Sequence, residues 1–171
     1  MNSKLKRLKS QYPPLTIEES DIADLAVFDK LIFAEDSFDE QFWRNDILNN
    51  PKGTEIIRVN KGPEGIAACV QGVIKTSKDT SQYGEVGSIA IAKEYRGMGL
   101  GTYMFDRCIE RLLRQHVSYV VMQTHIKNSP MQYMAKQKGF VISRTLTNYY
   151  KSGIRDAYEM VLIPAAKPVG S

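Results

Sequence analysis

One hexapeptide restricts the fold more than any other stretch of the chain: Arg96-Gly97-Met98-Gly99-Leu100-Gly101. Upstream of it, Gly84 to Ala92 reads as a strand of small and branched residues. Downstream, Phe105, Cys108, Ile109, Leu112 and Leu113 form one stripe. Asp106, Arg107, Glu110, Arg111 and Arg114 take the outer side, which predicts a helix from about Gly99 to Gln115. Glycines let the backbone take positive φ and let a ligand approach it closely. Successive N–H groups of such a turn converge on one concavity. The first N–H groups of the following helix have no intrahelical acceptor, and the helix dipole favours negative charge there. Arg96 adds a cation that can bond an anion through two N–H groups. Arg96, Gly97, Met98, Gly99, Leu100, Gly101 and Thr102 thus read as a phosphate or pyrophosphate site. The competing reading is a tight turn alone, but glycines at three alternate positions exceed what a turn requires. A P-loop would need lysine before Thr102, and a dinucleotide fold would need glycine in place of Thr102.

The rest of the chain supplies alternating strand and helix signals. Leu15 to Glu18 reads as a short strand, and Ile22, Leu25, Phe28, Leu31 and Ile32 as a helix opened by Asp21. Ser37 and Glu40 fit a capping box for a helix from Phe38 to about Leu48. Thr54 to Val59 and Ile66 to Ile74 flank a Lys61-Gly62-Pro63-Glu64-Gly65 turn and predict an antiparallel hairpin. Ser118 to Thr124 is a strand. A helix begins near Pro130, carries Met131, Met134 and Ala135, and ends at Gly139. Phe140 to Leu146 and Ala157 to Ile163 are two closing strands. The sum is α/β (α+β): a mixed, mostly antiparallel central sheet flanked by helices, with one strand–helix–strand crossover.

The length of 171 residues suits one domain. Residues 1–13 read as a basic, solvated arm (Lys4, Lys6, Arg7, Lys9), residues 14–164 as the domain and 165–171 as a loose tail. The net charge of +4 resides largely in that arm, so no nucleic-acid partner is expected. No apolar run approaches the ~18 residues of a membrane span, and no apolar segment follows the basic start, so neither a membrane nor a secretory signal is expected. Cys69 and Cys108 match no metal spacing. Free thiols favour the cytoplasm, and no metal is expected.

Arginine, two residues, glycine, one residue, glycine (Arg96, Gly99, Gly101) resembles the coenzyme A pyrophosphate motif of the GNAT superfamily of N-acetyltransferases. Ser88-Ile89-Ala90-Ile91-Ala92 stands where that family's fourth strand does, Asn128 opens the next helix, and Gly139-Phe140 closes it. Asn148-Tyr149-Tyr150 and Asp156-Ala157-Tyr158-Glu159-Met160 resemble the C-terminal hairpin of the ribosomal-protein-alanine branch. The resemblance runs from Leu15 to Pro164. It implies acetyl-CoA as co-substrate, with its pyrophosphate on the N–H groups of Met98 to Thr102 beside Arg96. It also implies that the pantetheine runs beside Ile89, Ala90 and Ile91 like an added strand, that Asn128 faces it, and that the thioester sits where the strand beginning near Glu85 diverges from the one ending near Thr124.

Amine acylation needs a proton acceptor, donors for the oxyanion and a proton for the leaving thiolate. The resemblance offers Glu85 as base; alternation in a regular strand would put it on one face with Gly87, Ile89 and Ile91. The plain reading of Glu85 is an exposed carboxylate at a strand start. Gln123 stands where peptide-acetylating relatives carry glutamate or histidine, and it accepts no proton at neutral pH. His125, two residues on, is the substitute, or simply a strand-end histidine. The family's tyrosine acid is replaced by Ala135, which leaves Tyr133 as the nearest tyrosine on that helix. Tyr149 and Tyr150 are candidates for the acceptor site, as is Glu35 in an acidic stretch with Asp36, Asp39 and Glu40. The expected activity is acetyl transfer to a protein or peptide N-terminus by a monomer or homodimer. The alternatives are a small-molecule amine acceptor (amino sugar, polyamine or antibiotic) and a non-catalytic acetyl-CoA-binding module.

Overall fold

The computed structural model describes residues 3–151, 153 and 155–164. The tail expected beyond Pro164 lies outside them. In chain order the elements are α1 (Ser3–Gln11), β1 (Leu15–Thr16), α2 (Ile22–Phe33), α3 (Glu40–Asn49), β2 (Thr54–Arg58) and β3 (Ile66–Thr76). There follow β4 (Gln82–Ile91), α4 (Leu100–Leu113), β5 (Val120–His125), α5 (Ser129–Gln137), β6 (Val141–Leu146) and β7 (Ala157–Leu162). The strands form one seven-stranded sheet in the order β1-β2-β3-β4-β5-β7-β6. Every neighbouring pair is antiparallel except β4 and β5, which α4 joins as a crossover.

Each sheet face carries its own core. On one face α4 and α5 bury Leu100, Met104, Phe105, Cys108, Leu112 and Ala135 against Val70, Val86, Val120 and Met122. On the other, α2 and α3 bury Ile22, Leu25, Phe28 and Trp43 against Ile56, Ile66, Cys69 and Ala90. Polar clasps tie each layer to the sheet. Glu55 of β2, 9% exposed, receives Arg107 of α4 in a two-bond grip (2.6 and 3.2 Å), and Arg111 approaches the same carboxylate. Arg58 reaches Asp21 and Asp24 at the start of α2. Asp46 of α3 accepts from Thr54 Oγ1 at 2.6 Å and Gln71 Nε2 at 2.7 Å. Both cysteines are free and buried; burial pushes the Cys108 thiol up to about 12 and the Cys69 thiol well above its usual range.

Four expectations change. The basic arm is helical, and its Leu5 (8% exposed) joins the α4 core together with Leu8 and Tyr12. Its apolar residues recur at i, i+3 and i+7, a stripe hidden among the lysines. The N-cap of α3 is Asp39, whose carboxylate accepts from Phe42 N at 2.9 Å; Ser37 instead donates to the Ala34 carbonyl. Leu31 is 68% exposed, whereas Ile22, Leu25, Phe28 and Asp29 are the residues α2 buries. Arg107 and Arg111, read as an outer face, bind Glu55.

Removing the Asp46 carboxylate leaves Thr54 and Gln71 buried without their acceptor. Asp46→Ala is expected to lower the unfolding free energy in urea by about 2–4 kcal/mol. The exposed Leu48→Ser control should change it by less than about 0.5 kcal/mol.

Candidate active site

Two strands that begin as neighbours come apart in the middle of the sheet. β4 pairs β5 only through Gly84–Val120, Glu85–Val121 and Val86–Met122. The cause lies on the other edge of β4, where the register slips. Gly72 of β3 faces Val86, and the preceding Gln71 faces Ser88, so Gly87 is one residue too many. Such a bulge bends its strand and reverses the order of its faces. Before it, Gly84 and Val86 face α4: a Cβ on Gly84 would meet Leu112. After it, Ile89 and Ile91 face α4, and Ala90 faces α2 and α3. A Cβ on Gly87 would collide with Gln71 Oε1, so any side chain there would make the Gln71 amide shift. Glu85 therefore does not share a face with Ile89 and Ile91, as regular alternation would have it. It lies on the α2/α3 side, with its carboxylate 2.6 Å from Lys75 Nζ.

The split holds a cleft of about 300 Å³ that reaches both faces of the sheet. Val86, Ile89, Met122, Asn128 and Met131 line it from the α4/α5 side. Phe33, Asp36, Ser37, Phe38, Gln123, Tyr149 and Tyr150 line it from the other. The glycine turn lies at the exit of β4. Gly97 (φ +74°) and Gly99 (φ +91°) take left-handed conformations. At Gly101 α4 runs against Ile91, whose Cγ1 would be in ordinary contact, 3.5 Å, with a Cβ there. The first α4 bond recorded from the turn is Tyr103 N to Gly99 O, which leaves the N–H groups of Leu100, Gly101 and Thr102 without acceptors within the helix. Arg96 bends back, Nε donating to Ile91 O at 2.9 Å, with its two terminal nitrogens still to spend on an anion. Asn128 caps α5, its Oδ1 accepting from Met131 N, and still lines the cleft.

The acceptor-side wall is a clasped loop. Asn148 has φ +53°; its N–H donates to Asp156 Oδ1 (3.0 Å) and its Oδ1 accepts from Arg155 (2.6 Å). Tyr150 N donates to Arg155 O (2.9 Å). Tyr149 Oη donates to Gln123 Oε1 at 3.4 Å. Burial, then the neighbouring Tyr149 and Asp36, push Tyr150 up to about 12 against a hydrogen bond from the His125 backbone, so its hydroxyl stays protonated and able to donate a hydrogen bond. The His125 ring lies 5.6 Å from that of Tyr150, and its Nδ1 accepts from Lys127 N; His125 does not line the cleft. Four of the expected catalytic and acceptor-site residues do not line it: Glu85, His125, Tyr133 and Glu35. Tyr133 is 68% exposed, because it is half a helical turn from both Met131 and Ala135, which are buried. Glu35 borders a separate groove with Val27 and Lys30; the acid on the cleft is Asp36, whose Oδ1 accepts from Lys151 N. Phe33 and Phe38, which flank the acidic stretch expected at the acceptor site, also line the cleft, as do Ser88 of the expected coenzyme strand and Met131, which the sequence marks only as part of a helix.

The sequence model of the acetyltransferase (GNAT) family matches residues 20–140. The chain belongs to that family. N-alpha-acetyltransferase 30 of Saccharomyces cerevisiae is 24% identical over 155 residues, 88% of this chain and 86% of that protein. Its namesake in Schizosaccharomyces pombe is 28% identical over 100 residues, 58% of this chain and 64% of that protein. The solved NatC complex bound to Gag peptide and CoA has a chain of the same fold, with a TM-score of 0.77 at 21% identity covering 90% of this chain and 99% of that one. The ribosomal-protein-S18-alanine N-acetyltransferase of Escherichia coli gives 0.71 at 18% identity, covering 94% and 99%.

In this acetyltransferase one buried acid positions the acceptor wall. Asp29 of α2 is fully buried; Oδ2 accepts from Phe38 N at 2.7 Å, and Oδ1 has no partner among the described residues. Burial raises its carboxyl to about 6. The folded chain thus keeps a proton that the unfolded chain has already released. Stability should fall as pH rises from about 4 to about 6 and stay level above. At about 1.4 kcal/mol per unit, unfolding free energies measured at pH 4 and pH 7 should fall by about 3 kcal/mol more in the wild type than in Asp29→Asn. A difference between the two that is the same at both pH values would show Asp29 ionised throughout.

Proposed function

We propose that this acetyltransferase moves the acetyl group of acetyl-CoA to the α-amine of a protein or peptide N-terminus, acting as a monomer or homodimer in the cytoplasm. The split between β4 and β5 carries the reading: it opens a passage between the glycine-turn side of the sheet and the tyrosine-walled groove on the opposite side. The N-terminal class of acceptor is supported by the named relatives, which are N-alpha-acetyltransferases. Among the described residues no helix is long and apolar enough to cross a membrane, and no cluster of metal-binding side chains occurs.

The residues present fit the coenzyme. The N–H groups of Leu100 to Thr102 and the guanidinium of Arg96 are the donors for pyrophosphate, at the positive end of α4. Beyond Val86, β4 has no strand partner on its β5 side, so residues 87–91 offer backbone groups to a pantetheine lying as an added strand. When bound, acetyl-CoA supplies the thioester carbonyl that the amine attacks. A backbone N–H near Ile89 is placed to stabilise the oxyanion.

On the acceptor side the chain orients the amine and takes its proton. Asp36 attracts the ammonium form, and the Tyr149–Gln123 bond and the Tyr150 hydroxyl give polar walls to an otherwise apolar groove. An α-amine has pKa about 8 against about 10.4 for lysine, so a modest base suffices. Glu85 fills that role through water. Burial, then the charge of Glu85, raise the Tyr149 hydroxyl above its usual range, which supports this reading. His125, against Tyr150, is the second proton route.

Release of coenzyme A should be rapid with free N-terminal peptides, and much slower with the same peptides blocked at the N-terminus or with small amines. Turnover confined to small amines would overturn the acceptor assignment. Glu85→Gln should lower turnover by about 10²-fold with coenzyme binding kept. A Glu85→Gln rate equal to that of the wild type at every pH would remove Glu85 from that role. Gly99→Asp, which strains a φ of +91° and brings a negative charge to the turn, should abolish coenzyme binding.

A further inference from the structure

The first helix lies beside the glycine turn. Leu5 of α1 packs on Gly99, where its Cδ2 would be 3.3 Å from a Cβ. Four residues later, Lys9 Nζ stands 3.8 Å from the ring centroid of Tyr103, itself four residues after Gly99. The contacts advance together on both helices, so α1 runs alongside α4 in the same direction and starts level with the turn. Its buried stripe is Leu5, Leu8 and Tyr12. Lys6 and Lys9 are three residues apart and share one flank, and Lys9 over Tyr103 marks that flank as the one turned toward the exposed side of α4. The half-buried acid of α4, Asp106, is already paired with Lys138, just past the end of α5, at 2.8 Å. α1 thus runs along one side of α4 from the turn onward, and the end of α5 meets α4 farther along, at Asp106. The flank facing it from α1 carries positive charge with no competing acid of α4 left unpaired.

We propose that α1 completes the coenzyme site, with Lys6 and Lys9 binding phosphate groups of acetyl-CoA. The inference rests on reading the turn 96–102 as the pyrophosphate site. It gives the N-terminal segment a role in the affinity for the co-substrate. It also couples the docking of that segment to coenzyme binding: a phosphate held by both α1 and the turn anchors the helix as well as the ligand. Leu5 supplies the apolar contact that keeps the lysines at this position, and glycine at 99 makes room for it.

Calorimetric titration at low salt, with coenzyme A and with dephospho-coenzyme A, tests this on the full chain. Each lysine-to-glutamine change should raise the Kd for coenzyme A about fivefold, and Lys6→Gln/Lys9→Gln by about 20-fold with a shallower dependence on salt. Lys9→Arg should keep wild-type affinity. If the double variant no longer prefers coenzyme A to dephospho-coenzyme A, the lysines grip the 3′-phosphate. If both ligands weaken alike, they grip the pyrophosphate. Equal affinity of wild type and double variant for both ligands, with helix content unchanged by circular dichroism, would overturn the proposal and leave the turn's assignment standing. Absence of binding in the wild type would overturn that assignment and this one with it.

Discussion

The extra residue at Gly87 governs how the two faces of the sheet communicate. Parallel pairing of β4 with β5 holds for three residues and then ends, because β4 has turned away. Had Gly87 carried a side chain, the Gln71 amide that donates to Asp46 would have to shift, which would strain the clasp between α3 and the sheet. The bulge is therefore secured from beneath by the same buried network that fixes α3. The opening costs the sheet ladder bonds in its centre, and the polar edges so exposed are free for a ligand that brings its own amides.

A second constraint sets the position of the anion site. A helix N-terminus is useful only if the helix cannot slide or rotate. The orientation of α4 is fixed by an apolar stripe on one side and, on another, by the two-bond grip of Arg107 on a largely buried Glu55. A planar guanidinium matched to a carboxylate restricts rotation as well as distance. With α4 so held, the turn before it presents its N–H groups at a defined height above the end of β4.

The parts of this molecule that were legible in the sequence are those whose chemistry is local. The glycine turn, the amphipathic stripe of α4, the cap at Asn128 and the β2–β3 hairpin each follow from residues close in the chain, and each is present. The unread parts depend on distant partners. A bulge needs knowledge of the opposing strand, and nothing near Gly87 signals that Gln71 lies beneath it. Leu5 and Leu8 stand among lysines, and only the groove beside α4 makes them core. Ser37 lost the capping role to Asp39 because the chain turns through Ala34–Asp36 before α3 begins. Tyr133 followed from the absence of a tyrosine at 135, a substitution of logic for geometry that helical rotation defeats.

The two thiols bear on how this enzyme behaves among oxidants and electrophiles. Thiolate is the reactive species of cysteine. Cys69 and Cys108 sit at 0% exposure with their deprotonation pushed far above neutral pH. The folded chain is thus a poor target for alkylation, mixed disulfides or sulfenic acid. Its own product is a free thiol, and it can accumulate that product beside its cleft without forming a disulfide with it. A chromogenic disulfide added to the reaction would count liberated coenzyme A alone while the protein stays folded, and would begin to count the protein only as the fold is lost.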